Sequence, residues 1–130
     1  MKTKPVQGRT ILLVEDDYTV AMDLQSSFEE AGATVVGPVG RVDDAMGLVW
    51  DVFDIDIAVL DINLHGEFAF YVAQALRERG IPFVFASGYG RRGLPKAFER
   101  IPLCEKPLEY DLLAATLTHE LSRRPFGRPH

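Results

Sequence analysis

The stretch LLVEDD, residues 12–17, sets three carboxylates directly after three apolar residues, with no basic residue beside them. The apolar run starts earlier, and TILLVE (residues 10–15) has the composition of a strand covered on both faces. Adjacent like charges repel. A buried strand that ends in Glu15, Asp16 and Asp17 therefore needs either solvent or a positive group at that end. The following YTVAMDLQSSFEEAG (18–32) carries Val20, Leu24, Phe28 and Ala31 at helical spacing, with Gly32 as a stop. Strand, acidic turn, helix is thus the opening unit.

The alternation continues along the chain. ATVVGPV (33–39) reads as a second strand, with Pro38 marking a frayed end or a sheet edge. RVDDAMGLVW (41–50) reads as a short helix, weakened by Gly47. IDIAVLDI (55–62) is the most apolar strand and is expected at the centre. EFAFYVAQALRERG (67–80) reads as a helix with Ala69, Val72, Ala73 and Leu76 on one face, and IPFVFAS (81–87) as a strand. GYGRRGLP (88–95) breaks every pattern with three glycines and a proline. PKAFER (95–100) allows a short helix with Pro95 at its first position, and Pro102 bars helix beyond about Ile101. IPLCEKP (101–107) holds a short strand. LEYDLLAATLTHELSRR (108–124) is a last helix with Leu113, Leu117 and Leu121 in one stripe. The order βαβαβαβαβα predicts an α/β fold, a doubly wound five-stranded parallel sheet with helices on both faces.

A chain of 130 residues suits one domain, here residues 10–122, flanked by segments 1–9 and 123–130 expected to be flexible. The net charge of −5 disfavours non-specific nucleic-acid binding, and no DNA binding is expected. Arg91-Arg92 and Arg123-Arg124 read as solvated surface. Cys104 is the single cysteine, so no disulfide forms within the chain, and it reads as a small buried hydrophobe. MKTKPVQGRT (1–10) lacks the apolar run of a secretory signal, and no apolar stretch spans a bilayer. A cytoplasmic location away from the membrane is the expectation.

Four strands end in residues with chemical potential: Glu15, Asp16 and Asp17 after the first, Asp61 after the third, Ser87 after the fourth, Lys106 after the fifth. In open α/β sheets ligands sit beyond the carboxyl ends of the strands, where the strand order reverses. One crevice would then collect carboxylates, a hydroxyl and an ammonium. Clustered carboxylates, a carbonyl and waters suit Mg2+. An aspartate beside such an ion, a lysine and a hydroxyl suits phosphoryl transfer, with Asp61 as the nucleophile that forms an acyl phosphate. Singly, each of these residues has a bland explanation as a helix-start acid, a turn residue or a surface lysine. Together, at the ends of four strands, they do not.

LLVEDD, LDIN, FASG and EKP, in this order, resemble the CheY-like receiver domain of two-component response regulators, over roughly residues 10–122. The resemblance implies the flavodoxin-like strand order 2-1-3-4-5. It implies that Asp61 accepts the phosphoryl group, that Asp16 ligates Mg2+ (or Mn2+) directly and Glu15 through water, and that Asn63 gives the metal its backbone carbonyl. Ser87 matches the switch hydroxyl, Lys106 the invariant lysine, and the Lys106-Pro107 bond is usually cis in the family. PFVFASGYG (82–90) is similar to the signature of the FAT GUY subfamily, with Ser87 in place of threonine. Many members are single-domain proteins that work with HWE/HisKA-2 sensor histidine kinases. The resemblance thus implies a histidine kinase or a histidine phosphotransfer protein as donor. It further implies output through a downstream protein, phosphoryl relay or competition for phosphate, and no turnover enzyme on a separate substrate. No output domain is expected after the last helix. The family's usual contact face corresponds to residues 95–121.

Some positions depart from the family. Leu103 stands three before Lys106, where a switching Tyr or Phe is common. His65, four after Asp61, replaces a common proline. Asp17, His65, Gly88, Tyr89 and Leu103 are therefore candidate tuning positions, with Tyr89 expected to shield the phosphoryl group. Only 18 residues separate Ser87 from Lys106, so the fourth helix can have one or two turns. Residues 88–100 are expected to be mobile and to be ordered by phosphorylation. Two rivals stand beside this reading. Asp54-Ile55-Asp56 resembles the paired aspartates of haloacid-dehalogenase-type phosphatases, although it precedes its strand. A receiver-like module that binds partners without phosphorylation is the other.

Overall fold

The computed structural model describes residues 6–123. The opening apolar run forms β1 (Thr10–Val14), followed by α1 (Tyr18–Glu30), β2 (Thr34–Val39), α2 (Val42–Asp51) and β3 (Ile57–Asp61). Two short strands, β4 (Asn63–Leu64) and β5 (Glu67–Phe68), precede α3 (Phe70–Glu78). Then come β6 (Phe83–Ser87), a single 3-10 turn (Lys96–Phe98), β7 (Leu103–Glu105) and α4 (Tyr110–Ser122). Ile11, Leu12, Leu13 and Val14 are all fully buried. Successive strand side chains point to opposite faces, so burying every one requires cover on both. Leu12 and Val14 pack with Ala45, Val49, Val72 and Leu76 of α2 and α3. Ile11 and Leu13 pack with Leu24 and Phe28 of α1 and with Leu113 and Leu117 of α4.

The main sheet has the order β2-β1-β3-β6-β7, every pair parallel. Counted over its own strands this is the expected 2-1-3-4-5, with β3 central and the Pro38-bearing β2 at an edge. The order reverses between β1 and β3. Their register pairs Val14 with Leu60, while Asp61 lies opposite Ala86 and Ser87 opposite Glu105. Residues 15, 61, 87 and 106 therefore share one edge of the sheet. Among the described residues, no helix is long and apolar enough to cross a membrane.

Two expectations need correction. The helix expected over residues 67–80 starts only at Phe70, because Glu67 and Phe68 pair with Leu64 and Asn63 in an antiparallel hairpin. Its two-residue loop, His65 and Gly66, has φ of 50° and 86°, as a tight primed turn requires. Gly66 N–H donates to Asn63 Oδ1 (2.9 Å), and Ala69 N–H donates to Ile62 O (2.8 Å). Residues 6–9, assigned to a flexible lead, are packed: Val6 is fully buried and Gly8 N–H donates to Gly32 O at 2.9 Å. Residues 1–5 and 124–130, on which the rest of the expectation about the chain ends and the reading of Arg124 fall, lie outside the described residues. Arg91 is exposed, as expected of solvated surface, and its guanidinium also donates to Glu99 O (3.2 Å) and Ile101 O (3.0 Å), bracing the chain around the 3-10 turn. Cys104 is buried, as expected.

Arg79, just after α3, caps the end of α2. Its guanidinium donates to Val49 O, to Val52 O (2.8 Å) and to Phe53 O (3.2 Å), satisfying carbonyls that a helix end leaves unpaired. Arg79→Met keeps the aliphatic stem and removes these bonds. It is expected to destabilise the domain by about 1–2 kcal/mol in urea denaturation, and an unchanged midpoint would show that water replaces the guanidinium without loss.

Candidate functional site

The positive group that the acidic turn needs comes from the far end of the chain. Lys106 follows β7 and is fixed by its own N–H, which donates to Ser87 O at 2.8 Å. Its Nζ lies 2.9 Å from Glu15 Oε1 and 2.8 Å from Asp61 Oδ2. Glu15 and Asp61 are only 4% and 5% exposed, so both carboxylates meet the ammonium out of bulk water. The Lys106-Pro107 bond is cis. Asp16 is partly buried beside them, and carboxylate oxygens of Glu15, Asp16 and Asp61 lie within 4.8 Å of one another. Asp16 is held from two sides. Its Oδ2 accepts the His65 N–H at 2.9 Å, and Gly40 brings the loop after β2 close against it: a Cβ there would stand 3.0 Å from Asp16 Cα, a tight contact that the backbone would have to relieve by shifting.

Asp17 serves the helix rather than the cluster: its Oδ1 accepts the Val20 N–H (3.1 Å) and caps α1, while its own N–H donates to Glu15 Oε2 (3.0 Å). Asn63 stands at the cleft, its N–H donating to Asp61 Oδ1 at 3.2 Å. Ser87 is buried, and its Oγ accepts the Tyr89 N–H at 3.0 Å. Asp16, Asp61, Asn63, Ser87, Gly88 and Lys106 line one cleft of about 440 Å³. Tyr89 stands at its rim, 72% exposed. The His65 side chain is mostly exposed, with Nδ1 at 3.9 Å from Asp16 Oδ2. Leu103 does not reach the cleft lining and packs against the core under α2 and α3. Asp56, of the rival aspartate pair, accepts the Thr10 N–H at 2.8 Å and so sits at the opposite end of β1. A larger cavity of about 660 Å³ between α3 and the 3-10 turn is lined chiefly by aromatic rings and lacks converging carboxylates. Three cleft residues escaped the sequence reading, Ile62, Phe68 and Arg92. Arg92 looked like one half of a surface pair, and only the turn that follows Ser87 shows where it goes.

The electrostatics follow from burial. Desolvation pushes the Asp61 carboxyl up to about 7; Lys106 works against this and the Glu15 carboxylate adds to it. For Lys106, burial works to lower the ammonium, but its bonds to Asp61 and Glu15 prevail and hold it above the usual lysine range. For Asp16, burial works upward, and the His65 amide together with the shared bond to Asp61 brings the carboxyl below its ordinary value. Three carboxylates against the Lys106 ammonium leave a formal excess of two negative charges at the strand ends, before the Arg92 guanidinium of the cleft lining is counted. An all-oxygen donor set with that excess fits one hard divalent cation. The folded Asp61 value lies above its unfolded 3.8, so the folded protein holds a proton that the unfolded chain has lost between about pH 4 and about pH 7. Without divalent cation, stability is then greatest at the acid end of this window and falls as pH rises, by about 1 kcal/mol per pH unit. Asp61→Asn should abolish that slope and exceed the wild type above pH 7. Denaturation in EDTA across the window measures both; a flat wild-type profile would contradict the burial account.

No family model matches the chain, and no curated protein does. Solved structures do. The chain is similar to SdrG from Sphingomonas melonis Fr1, with 38% identity and a TM-score of 0.76, covering 94% of this chain and 99% of that one. A BeF3-activated conformation of SdrG from Pseudomonas melonis Fr1 matches at 38% identity and a TM-score of 0.72, over 93% and 99% of the two chains. The response regulator receiver protein from Sinorhizobium medicae WSM419 is 26% identical with a TM-score of 0.75, over 90% of this chain and 97% of that one. The REC domain of the PhyR response regulator from Erythrobacter litoralis shares the fold, at 20% identity and a TM-score of 0.79, over 95% and 98%. The sheet order, the acidic cluster and these likenesses agree, and the chain belongs to the response-regulator receiver family.

Proposed function

We propose that this receiver accepts a phosphoryl group on Asp61 from a phosphohistidine of a sensor kinase or of a histidine phosphotransfer protein. The observation that carries the reading is the Asp61 carboxylate at the end of the central strand, 2.8 Å from Lys106 Nζ, with Asp16 and the Ser87 hydroxyl in the same cleft. An Asp61 oxygen attacks phosphorus, the P–N bond of the donor breaks, and the electron pair leaves on the imidazole nitrogen, which takes a proton from solvent. Lys106 faces the attacked carboxylate and is placed to bond a phosphoryl oxygen as negative charge builds there. The Ser87 hydroxyl already accepts from Tyr89 N–H, so its own proton is free to donate to another phosphoryl oxygen. That bond would tie the state of Asp61 to the turn that opens residues 88–100, which phosphorylation would order. Asp16, Asp61 and the Asn63 carbonyl would hold Mg2+ (or Mn2+), with Glu15 outside them through water; the ion would neutralise charge on the phosphoryl oxygens.

The likeness to SdrG and the stretch PFVFASGYG support the FAT GUY subfamily, and with it a kinase of the HWE/HisKA-2 type in the cytoplasm. Output passes through protein contacts on the face of residues 95–121, or by relay of the phosphoryl group. The acidic set, hydroxyl and lysine stand together, which argues against a module that has abandoned phosphorylation.

Mass spectrometry after incubation with Mg2+ and acetyl phosphate or phosphoramidate tests this. The expected result is one labile phosphoryl adduct that disappears on adding EDTA with the donor and is absent in Asp61→Asn. An adduct that persists in Asp61→Asn, or none in the wild type, overturns the proposal.

A further inference from the structure

We propose that Arg92 is a phosphoryl-binding residue, whose guanidinium closes over the phosphoryl group on Asp61 from the rim of the cleft. The inference rests on the function proposed above. The adjacent arginines have different fates. Arg91 is committed to the backbone carbonyls of Glu99 and Ile101. Arg92 lines the cleft with Asp61, Ser87 and Lys106, and among the described residues its side chain has no hydrogen-bond or ion-pair partner. Its position is set locally: Arg92 N–H donates to Tyr89 O (3.4 Å), and Tyr89 N–H donates to Ser87 Oγ (3.0 Å). One hydrogen-bonded turn therefore carries both the cleft hydroxyl and the arginine.

Charge supplies the reason. Phosphorylation converts a singly charged carboxylate into a doubly charged acyl phosphate, so the half-closed cleft gains one negative charge. Lys106, the other cation in the cleft lining, already bridges Glu15 and Asp61. Arg92 brings the missing positive charge, and its planar fork of donors matches two phosphoryl oxygens at once, which an ammonium cannot do. It takes no proton and loses none; it binds what Asp61 receives. When water attacks phosphorus, the Asp61 oxygen leaves with the electron pair and the water's proton goes to phosphate or solvent.

The test uses beryllofluoride, a non-reactive mimic of the acyl phosphate, titrated with Mg2+ present and followed by 19F NMR. The concentration of phosphoramidate giving half-maximal adduct is a second readout. Arg92→Ala is expected to weaken beryllofluoride about tenfold and to raise the phosphoramidate requirement similarly, with Arg92→Lys between it and the wild type. The melting temperature should stay at the wild-type value, because the side chain holds nothing in the unmodified fold. Arg91→Ala is the control for loop order, expected to lower the melting temperature while binding beryllofluoride nearly normally. Binding by Arg92→Ala within twofold of wild type, or an equal loss in Arg91→Ala, overturns the inference and leaves the function standing. Failure of the wild type to bind beryllofluoride any better than Asp61→Asn overturns both.

Discussion

Burying two carboxylates side by side is unfavourable unless a cation meets them, and here a single lysine does so. The Lys106 ammonium is within 3 Å of both Glu15 and Asp61, each nearly sealed from water. Removing the ammonium from such a cluster leaves buried carboxylates uncompensated, which costs several kcal/mol. The fold must therefore hold the ends of β1, β3 and β7 in register, and the parallel sheet does so with strands whose every residue between Ile11 and Val14, and between Ile57 and Asp61, is buried. The pairing remains incomplete. Asp16 is a third carboxylate with no ammonium of its own, and burial leaves Asp61 straining toward protonation. The same imbalance that costs stability prepares the cleft for a divalent cation and a phosphoryl group.

Most of the frame was legible because local pattern and tertiary demand agree. Fully apolar runs of four residues (11–14, 57–60 and 83–86) read as doubly covered strands, and Leu24, Phe28, Leu113 and Leu117 appeared on the helix stripes that the structure buries. The site residues were legible as a set because the fold rule brings strand ends to one edge. Residues 63–68 were not, since an Ala- and Phe-rich segment carries helical spacing whether or not its first turn is taken by a hairpin. The telling signal was His65-Gly66, two positions that tolerate positive φ between the paired Leu64 and Glu67. Val6 was hidden in a polar lead, and nothing local tells that it fills the sheet's lower face. The different fates of Arg91 and Arg92 depend on a turn geometry that two identical letters cannot encode.

Leu103 occupies the place where many relatives of this fold carry a ring, and it packs, partly buried, against the core. Aromatic contact between the cleft and the 3-10 turn takes another course. Phe68, at the cleft rim, stacks on Phe70 at 5.5 Å, and Phe70 stacks on Phe98 of the turn at 5.8 Å. The segment between β6 and β7 holds one short helical turn and is fastened largely by Arg91 and by Phe98 in the core.

Competition between Lys106 and a divalent cation for the same carboxylates is open to direct measurement. Calorimetric titration of Mg2+ into wild type and into Lys106→Met compares a cleft holding its ammonium with one relieved of it. Removing a unit positive charge beside Glu15 and Asp61 should tighten Mg2+ binding by about tenfold or more. Equal or weaker binding in Lys106→Met would mean that lysine and metal do not share these carboxylates, and the electrostatic basis of the site would fail.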